Sequence, residues 1–338
     1  MFVTHLPYLL NAVLLRNLFI DDPAVHFYAL RTLLKVPNEM PWDTPCEIQR
    51  NFPLDLNPSR AGGGGDSPRK YHTLLCGAGR TRGRRSYMED VDFQFKEIKV
   101  SHVAGSVISL YGVLDGHGGQ ECAQHTSDEL PTKLTAELRS KRPIAEALFT
   151  SYLKTDAEFV NTMSDSQAGC TATVCVWDGA SNRGYMANAG DTRAVMCRAG
   201  AAVDLTMDKK ATDPFEIARI YREGGFVSNG RVMGTLGVAR AIGDCSLKHT
   251  SKRILVSDPE VTAFDYQQNA DQFMVIASDG LWDVMSSQDA VNWIKAKLES
   301  HNIVKGQCSP SVAPLPFGCG CVLAFRVLCN RVILLFMV

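Results

Sequence analysis

The stretch that decides the fold is residues 107–119, VISLYGVLDGHGG. Its apolar part is too short to span a membrane, and it ends in one acidic residue before a glycine-rich turn. This pattern predicts a buried strand that delivers the carboxylate of Asp115 and the imidazole of His117 to the turn. At the end of the strand, the carboxylate oxygens of Asp115 could face a metal ion. The glycines would let the backbone bend, so that the carbonyl of Gly116 can approach the same ion. The alternative is a strand-to-helix loop in which Asp115 caps the next helix.

Three further acidic motifs accompany this strand and turn. They read YMED at residues 87–90, NAGDTR at residues 188–193 and ASDGLWD at residues 277–283. A carboxylate-rich set without paired histidines favours Mg²⁺ or Mn²⁺ over zinc.

In order and content, these motifs resemble those of the metal-dependent protein serine/threonine phosphatases, the type 2C phosphatases. The resemblance extends from about residue 71 to residue 300. It implies two central β-sheets flanked by helices, with a metal site at one end. It also implies that phosphoserine and phosphothreonine in proteins are hydrolysed by a water activated at a dinuclear Mn²⁺ or Mg²⁺ centre, with two ions per subunit.

The resemblance also implies roles for individual residues. In that family the counterpart of Arg85 holds the substrate phosphate, which suits the two-pronged guanidinium. The counterpart of His117 is the proposed general acid that protonates the departing oxygen. The implied metal ligands are Glu89, Asp90, Asp115, Gly116 through its carbonyl and Asp279, and a third, weaker ion is associated with Asp191 and Asp283.

Most of these residues could also have a purely structural role, without metal binding or catalysis. Glu89 and Asp90 would fit a solvated turn, and Asp191 and Asp283 would fit ordinary turns. A lone histidine is more often structural than catalytic. The phosphate-binding arginine belongs to a basic run, so its register is ambiguous among Arg80, Arg82, Arg84 and Arg85.

The apolar periodicity predicts an α/β (α+β) sandwich of mainly antiparallel sheets flanked by helices. Short β-rich runs at residues 169–177, 184–190 and 193–198 predict an antiparallel meander. Residues 214–225 predict a helix with proline at its start and glycines at its end. Two amphipathic helical patterns, after the Gly-Gly turn and from residue 144, would cover a sheet.

Composition divides the chain of 338 residues into four segments. We predict an N-terminal extension at residues 1–52, a linker rich in proline and glycine at residues 53–70, a phosphatase domain at residues 71–300 and a divergent tail at residues 301–338. The tail contains no Asp or Glu, so the Asp-Asn motif that ends the related phosphatases is missing. Its apolar run, residues 322–338, would either complete the sheet with a last strand or expose an adhesive edge.

The net charge of −1 provides no field that would attract nucleic acid or anionic lipid, so we expect neither as a partner. The eleven scattered cysteines, several within apolar segments, favour reduced core thiols over a disulfide framework. The N-terminus lacks the basic region of a secretory signal, and arginines interrupt the last apolar run. We therefore expect a cytoplasmic or nuclear monomer without a membrane span, whose partner is a phosphoprotein substrate.

Two alternatives to a protein phosphatase remain at this stage. Without the terminal carboxylate, the chain could be a catalytically weak relative that serves as a binding or regulatory protein. The same site would also hydrolyse a small phosphoester. In addition, residues 208–211 read DKKA where the family usually has His-Lys-Pro, which would alter substrate choice. Residues 231–244 resemble a family signature and are interpreted as framework for the sheet and a flap.

Overall fold

The computed structural model describes residues 74–82, 85–100, 107–248, 252–300 and 331–337. The predicted extension, residues 1–52, and linker, residues 53–70, lie outside these described residues, and so does most of the tail. The domain boundaries drawn from the sequence therefore stay predictions. In the described ranges, no helix is long and apolar enough to cross a membrane.

Thirteen strands and six helices occur in the described part of the chain. The helices are α1 (Glu121–Arg139), α2 (Ile144–Thr162), α3 (Pro214–Arg222), α4 (Cys245–Lys248), α5 (Asp279–Trp282) and α6 (Ser287–Ser300). The strands are β1 (Leu74–Arg80), β2 (Val91–Lys99), β3 (Val107–His117), β4 (Gly169–Asp178), β5 (Arg183–Ala189), β6 (Arg193–Arg198), β7 (Ala201–Asp204), β8 (Val227–Ser228), β9 (Arg231–Val232), β10 (Ile242–Gly243), β11 (Glu260–Asp265), β12 (Asp271–Ala277) and β13 (Arg331–Met337).

Two antiparallel sheets form the centre of the fold. The first has the strand order β1-β13-β12-β6-β7, and the second has the order β11-β5-β4-β3-β2, with β10 attached to β4. The predicted class, two mainly antiparallel sheets flanked by helices, is confirmed.

Strand β3 illustrates how alternating side chains bind these layers together. Tyr111 and Val113 face the other sheet and pack with residues of β4, β6, β12 and β13. Leu110 and Leu114 face the opposite way and pack against α1 and α2. Because successive side chains of a strand point to opposite faces, one apolar run serves two cores. A third core lies between the first sheet and the helices α5 and α6.

The predicted meander is wrong for its third strand. β4 and β5 pair with each other, but β6 pairs with β12 and β7 in the other sheet. The chain changes sheets at Gly190, whose φ of 119° favours glycine and whose added Cβ would lie 2.4 Å from Cβ of Thr171. All three runs have the same strand-like composition, so the sequence does not show which partner each strand finds.

The end of the chain supplies an internal strand rather than an edge. β13 pairs along its whole length with β1 and along five residues with β12. Of the two alternatives for residues 322–338, the additional strand is therefore confirmed for Arg331–Met337. An internal position hides the backbone hydrogen-bonding groups that an exposed apolar edge would offer to other chains.

Other local predictions are also confirmed. Helix α3 begins with Pro214, and the side chain of Asp213 accepts a hydrogen bond from the amide of Phe215 at 2.7 Å. Helix α6 follows Ser286, whose hydroxyl bonds the carboxylate of Asp289 at 2.5 Å. The described part of the chain contains six cysteines that are buried and unpaired: Cys76, Cys122, Cys170, Cys175, Cys197 and Cys245.

Because β13 is an internal strand, we expect Leu334→Ala to destabilise the protein strongly. Leu334 is 1% exposed and packs in the core beneath α6. Truncation of such a residue should lower the free energy of unfolding by about 2–5 kcal/mol, measured by chemical denaturation. Val284→Ala, at a position that is 42% exposed, is the control and should change it by less than about 0.5 kcal/mol. Equal effects of the two substitutions would contradict the placement of β13.

Candidate metal centre and active site

Asp115 lies near the C-terminal end of β3 and does not cap a helix. The strand continues to His117, and Asp115 pairs with Thr171 of β4. Helix α1 begins after Gln120, and no side chain caps its first turn. The alternative in which Asp115 caps the following helix is therefore wrong, because the strand holds its carboxylate at the end of the sheet.

The first acidic motif lies directly against the β3 turn. A Cβ added to Gly116 would lie 2.4 Å from the carbonyl oxygen of Glu89, so only glycine permits this close approach. The amide of Gly119 donates a hydrogen bond to Oε1 of Glu89 at 2.7 Å. Glu89 and Gly116, two of the predicted metal ligands, are thus neighbours in the structure.

Asp90 connects the first motif to the last. It is buried, and its Oδ2 accepts a hydrogen bond of 2.8 Å from the hydroxyl of Ser278, which is buried as well. Ser278 immediately precedes Asp279, the first residue of α5. This contact brings together two motifs that are 188 residues apart in sequence.

Four aspartates influence one another electrostatically at this point. Burial raises the pKa of Asp115 well above its usual value, and the charges of Asp90, Asp279 and Asp191, together with a hydrogen bond to Asp279, raise it further. Burial and the charge of Asp279 also raise the pKa of Asp191, to about 6, although Lys210 opposes this effect. The cluster therefore has more negative charge than its surroundings balance.

The donor set fits a hard divalent cation. It consists of carboxylate oxygens with backbone carbonyls nearby, which suits Mg²⁺ or Mn²⁺, and it includes no thiolate. Over the described ranges, no group of three or more His, Cys, Asp or Glu side chains is arranged to hold a metal ion. The side chain of Asp279 also lies close enough to Asp115 to raise the pKa of that carboxyl group.

His117 is held by an aspartate whose role was not predicted from the sequence. Its Nε2 lies 3.0 Å from both carboxylate oxygens of Asp244, which is buried. Burial lowers the pKa of His117, but the hydrogen bond to Asp244 and the charge of that residue outweigh burial, so the net pKa is raised. The imidazole is thus oriented and favoured in its protonated form.

Glycine makes room for this pair. A Cβ on Gly169 would lie 2.1 Å from Oδ2 of Asp244 and 2.5 Å from Nε2 of His117. Asp244 itself has a φ of 54°, unusual for a residue with a side chain, and its amide donates to the carbonyl of Ala168 at 2.9 Å. The motif that ends in Asp244 was recognised in the sequence, but only as framework. Nothing in it indicated that its aspartate faces His117.

Asp191 and Asp283, which the resemblance associates with a third ion, both lie near the ammonium group of Lys210. Nζ of Lys210 lies 3.1 Å from Oδ1 of Asp283 and 3.7 Å from Oδ2 of Asp191. The preceding Asp208 forms two hydrogen bonds with Arg193, of 2.9 and 2.7 Å. The segment that departs from the usual His-Lys-Pro therefore lies next to the acidic cluster.

Arg85 lies in the connection between β1 and β2, exposed, with its amide donating to the carbonyl of Arg82 at 3.3 Å. The guanidinium of Arg82 bonds the carbonyl of Ser86. Arg84, another candidate in the ambiguous register, lies outside the described residues. The role of Arg85 as the phosphate-binding residue stays a prediction.

Known sequences resemble this chain over most of the sheet sandwich. Residues 74–313 match the family described as Protein phosphatase 2C. Probable protein phosphatase 2C 7 of Oryza sativa subsp. japonica is 38% identical over 66% of this chain and 58% of its own length. Probable protein phosphatase 2C 59 of Arabidopsis thaliana is 38% identical over 63% of this chain and 67% of its own length. The chain thus spans only part of these relatives.

Solved structures share the fold at low sequence identity. Serine-threonine phosphatase 2C from Toxoplasma gondii has a TM-score of 0.62 and 20% identity, with 80% of this chain and 97% of that chain covered. A sex determining protein of C. elegans has a TM-score of 0.64 and 21% identity, with 79% and 65% covered. These structures support the fold alone, whereas the family match covers more than half of the sequence. The chain belongs to the protein phosphatase 2C family.

Proposed function

We propose that this protein hydrolyses phosphoserine and phosphothreonine in proteins. The observation that carries the proposal is that three separate acidic motifs meet at the end of β3: the backbone of Glu89 lies against Gly116, and Asp90 accepts a hydrogen bond from Ser278, next to Asp279. The protein phosphatase 2C family is metal-dependent. A phosphate ester is itself anionic, so an uncompensated acidic cluster would repel it. The cluster suits this substrate only when cations balance its charge.

Two Mn²⁺ or Mg²⁺ ions would be held by the carboxylates of Glu89, Asp90, Asp115 and Asp279 and by the carbonyl of Gly116. When bound, such ions neutralise phosphate charge and make water nucleophilic at neutral pH. The chain's own contribution is to keep these oxygens in place. Hydrogen bonds from Ser278 to Asp90 and from Gly119 to Glu89 restrict two of the side chains.

His117 supplies the proton for the leaving group in this proposal. Because Asp244 engages Nε2, Nδ1 is the nitrogen that would give its proton to the departing serine or threonine oxygen. The raised pKa of His117 favours the protonated form that this step requires. Arg85 would hold the phosphate through paired guanidinium hydrogen bonds.

A second candidate function is a phosphatase-like binding or regulatory protein. One specific feature favours it: the absence of any acidic residue after residue 300, where the family's last carboxylate ligand is expected. Such a protein would bind Mn²⁺ weakly or not at all. Metal binding therefore distinguishes the two candidates before any substrate is known.

We expect Asp115→Asn to abolish Mn²⁺-dependent hydrolysis of a phosphothreonine peptide and to raise the melting temperature in EDTA. The folded pKa of Asp115 is raised, so the metal-free fold loses stability as pH increases from the unfolded pKa of about 3.9 through the folded value. At pH 7.5 an amide would remove that repulsion. Peptide dephosphorylation and thermal unfolding, with and without Mn²⁺, measure the two effects.

Asp165→Asn is the matched control, because Asp165 is exposed and lies outside the acidic cluster. It should behave like the wild-type protein in both measurements. Wild-type protein whose melting temperature does not respond to Mn²⁺ would favour the binding-protein candidate. Full activity of Asp115→Asn would refute the proposed metal centre.

We expect His117→Gln to affect substrates according to their leaving group. Loss of a positioned proton donor should slow hydrolysis of a phosphothreonine peptide by roughly 10²- to 10⁴-fold. Hydrolysis of p-nitrophenyl phosphate should fall much less, because its leaving group needs little protonation. Steady-state kinetics with both substrates provide the comparison.

Asp244→Asn should show the same direction of selectivity with a smaller loss, since it leaves the imidazole in place. Mn²⁺ affinity serves as the control and should be retained in both variants. An equal loss on the two substrates would contradict a general-acid role for His117.

A further inference from the structure

Two largely buried side chains fix the segment that contains Asp244, the partner of His117. Asp156 of α2 and Lys248 of α4 form an ion pair of 2.5 Å, and their side chains are 14% and 9% exposed. Neither residue belongs to the acidic motifs. Because charges removed from water are costly, such a pair adds little net stability, and its further contacts indicate a different role.

Lys248 ties together the two ends of this segment. Its ammonium donates to the carbonyl of Ala241 at 2.6 Å. Ala241 precedes Asp244 in the chain, whereas the backbone of Lys248 follows it at the end of α4. The residues between them, including Asp244, are therefore confined to a closed loop.

Asp156 anchors that loop to α2. Its Oδ1 accepts a hydrogen bond from the amide of Gly243 at 2.9 Å and another from the ammonium of Lys248. One carboxylate oxygen thus holds both the residue before Asp244 and the side chain that closes the loop. The two donors also satisfy an oxygen that would be costly to bury alone.

The backbone held in this way is unusual. Gly243 and Asp244 have φ values of 81° and 54°, so two successive residues adopt left-handed conformations. Gly243 pairs with Gly169 of β4, and the amide of Asp244 donates to the carbonyl of Ala168 at 2.9 Å. A side chain in this conformation persists only where neighbouring contacts enforce it. The contacts with β4 supply part of that support, and the ion pair adds to it.

We infer that Asp156 and Lys248 are positioning residues that hold Asp244 against His117. The inference rests on the proposed function, since it concerns the proton donor of the same site. Both residues act through the turn at Gly243 and Asp244. If that turn relaxes, the carboxylate of Asp244 moves away from its 3.0 Å contacts with Nε2, and the imidazole loses its fixed orientation. A misplacement of about 1 Å can cost an enzyme about 100-fold in rate.

An ion pair that only stabilises the fold makes a different prediction. Its loss would lower the melting temperature and reduce the hydrolysis of all substrates alike. Loss of a positioning pair impairs proton donation, so it slows substrates with a poor leaving group most. The dependence on the leaving group therefore separates the two roles.

The test uses Lys248→Met in the full chain, loaded with Mn²⁺ at neutral pH. We expect kcat/KM for a phosphothreonine peptide to fall about tenfold more than that for p-nitrophenyl phosphate, with unchanged Mn²⁺ affinity. Asp156→Asn should shift the ratio of the two substrates in the same direction. In an Asp244→Asn background, Lys248→Met should change the ratio less than it does in the wild-type protein, because both substitutions weaken one contact.

Glu137→Gln is the matched control. Glu137 is a buried acid that pairs with Arg142 and with Lys154, which lies in the same helix as Asp156. This variant should also lower the melting temperature. It should leave the ratio of the two substrates unchanged, because its ion pairs do not involve the loop that contains Asp244.

A second readout requires no catalysis. In the metal-free protein labelled with ¹⁵N-histidine, the Nε2 proton that His117 donates to Asp244 is observed by NMR and is identified by its absence in His117→Gln. We expect this signal to be lost through exchange with water in Lys248→Met. It should be retained in Glu137→Gln.

Specific outcomes would overturn the inference. An unchanged substrate ratio and a retained Nε2 proton in Lys248→Met, alongside the expected selectivity of His117→Gln, would refute the positioning role and leave the proposed function intact. Additive effects of Lys248→Met and Asp244→Asn on the ratio would also refute it. If the wild-type protein shows no Mn²⁺-dependent hydrolysis, the proposed function fails and the proton signal alone decides the inference. Its retention in Lys248→Met would then refute the positioning role.

Discussion

Repulsion among buried and half-buried carboxylates is the constraint on which the rest of this structure depends. The charges of Asp90, Asp279 and Asp191 act on Asp115; Asp90 and Asp191 are buried, whereas Asp115 and Asp279 are half-buried. Ionised groups in such surroundings are costly unless protons, cations or hydrogen-bond donors balance them. The structure provides the hydroxyl of Ser278 and the ammonium of Lys210 as partial compensation. A divalent cation would complete it.

The sandwich holds these groups together against their repulsion. Apolar cores lie between the sheets and on both outer sheet faces, and each fully buried leucine or phenylalanine contributes about 1.5–3 kcal/mol through the hydrophobic effect. The acidic residues lie where β3 ends, where α5 begins and where the chain crosses between sheets. Stability is therefore produced by the layers, and the charges that reduce it are concentrated at one end.

Glycines at the acidic end of the sandwich allow neighbouring segments to approach closely. Gly116 admits the backbone of Glu89, and Gly169 leaves space for the contact between His117 and Asp244. Asp244 occupies a left-handed conformation in which a side chain is uncommon. Backbone strain of this kind persists only where surrounding contacts maintain it, and it often accompanies functional sites. The histidine–aspartate pair thus depends on residues that have no chemical role of their own.

The sequence alone determined the type of fold, most helices and strands, and the acidic motifs, because apolar periodicity and local residue order are properties of neighbouring residues. Only the tertiary structure decided that β6 leaves the meander for the other sheet, that the acid-free tail supplies β13 inside a sheet, and that Asp244 faces His117. It also brought Lys210 between Asp191 and Asp283. Each of these outcomes depends on contacts between distant segments, and strand-like runs of similar composition do not encode their partners. The physical reason is that pairing and proximity are fixed by packing of the whole sandwich, whereas composition and spacing report only local preference.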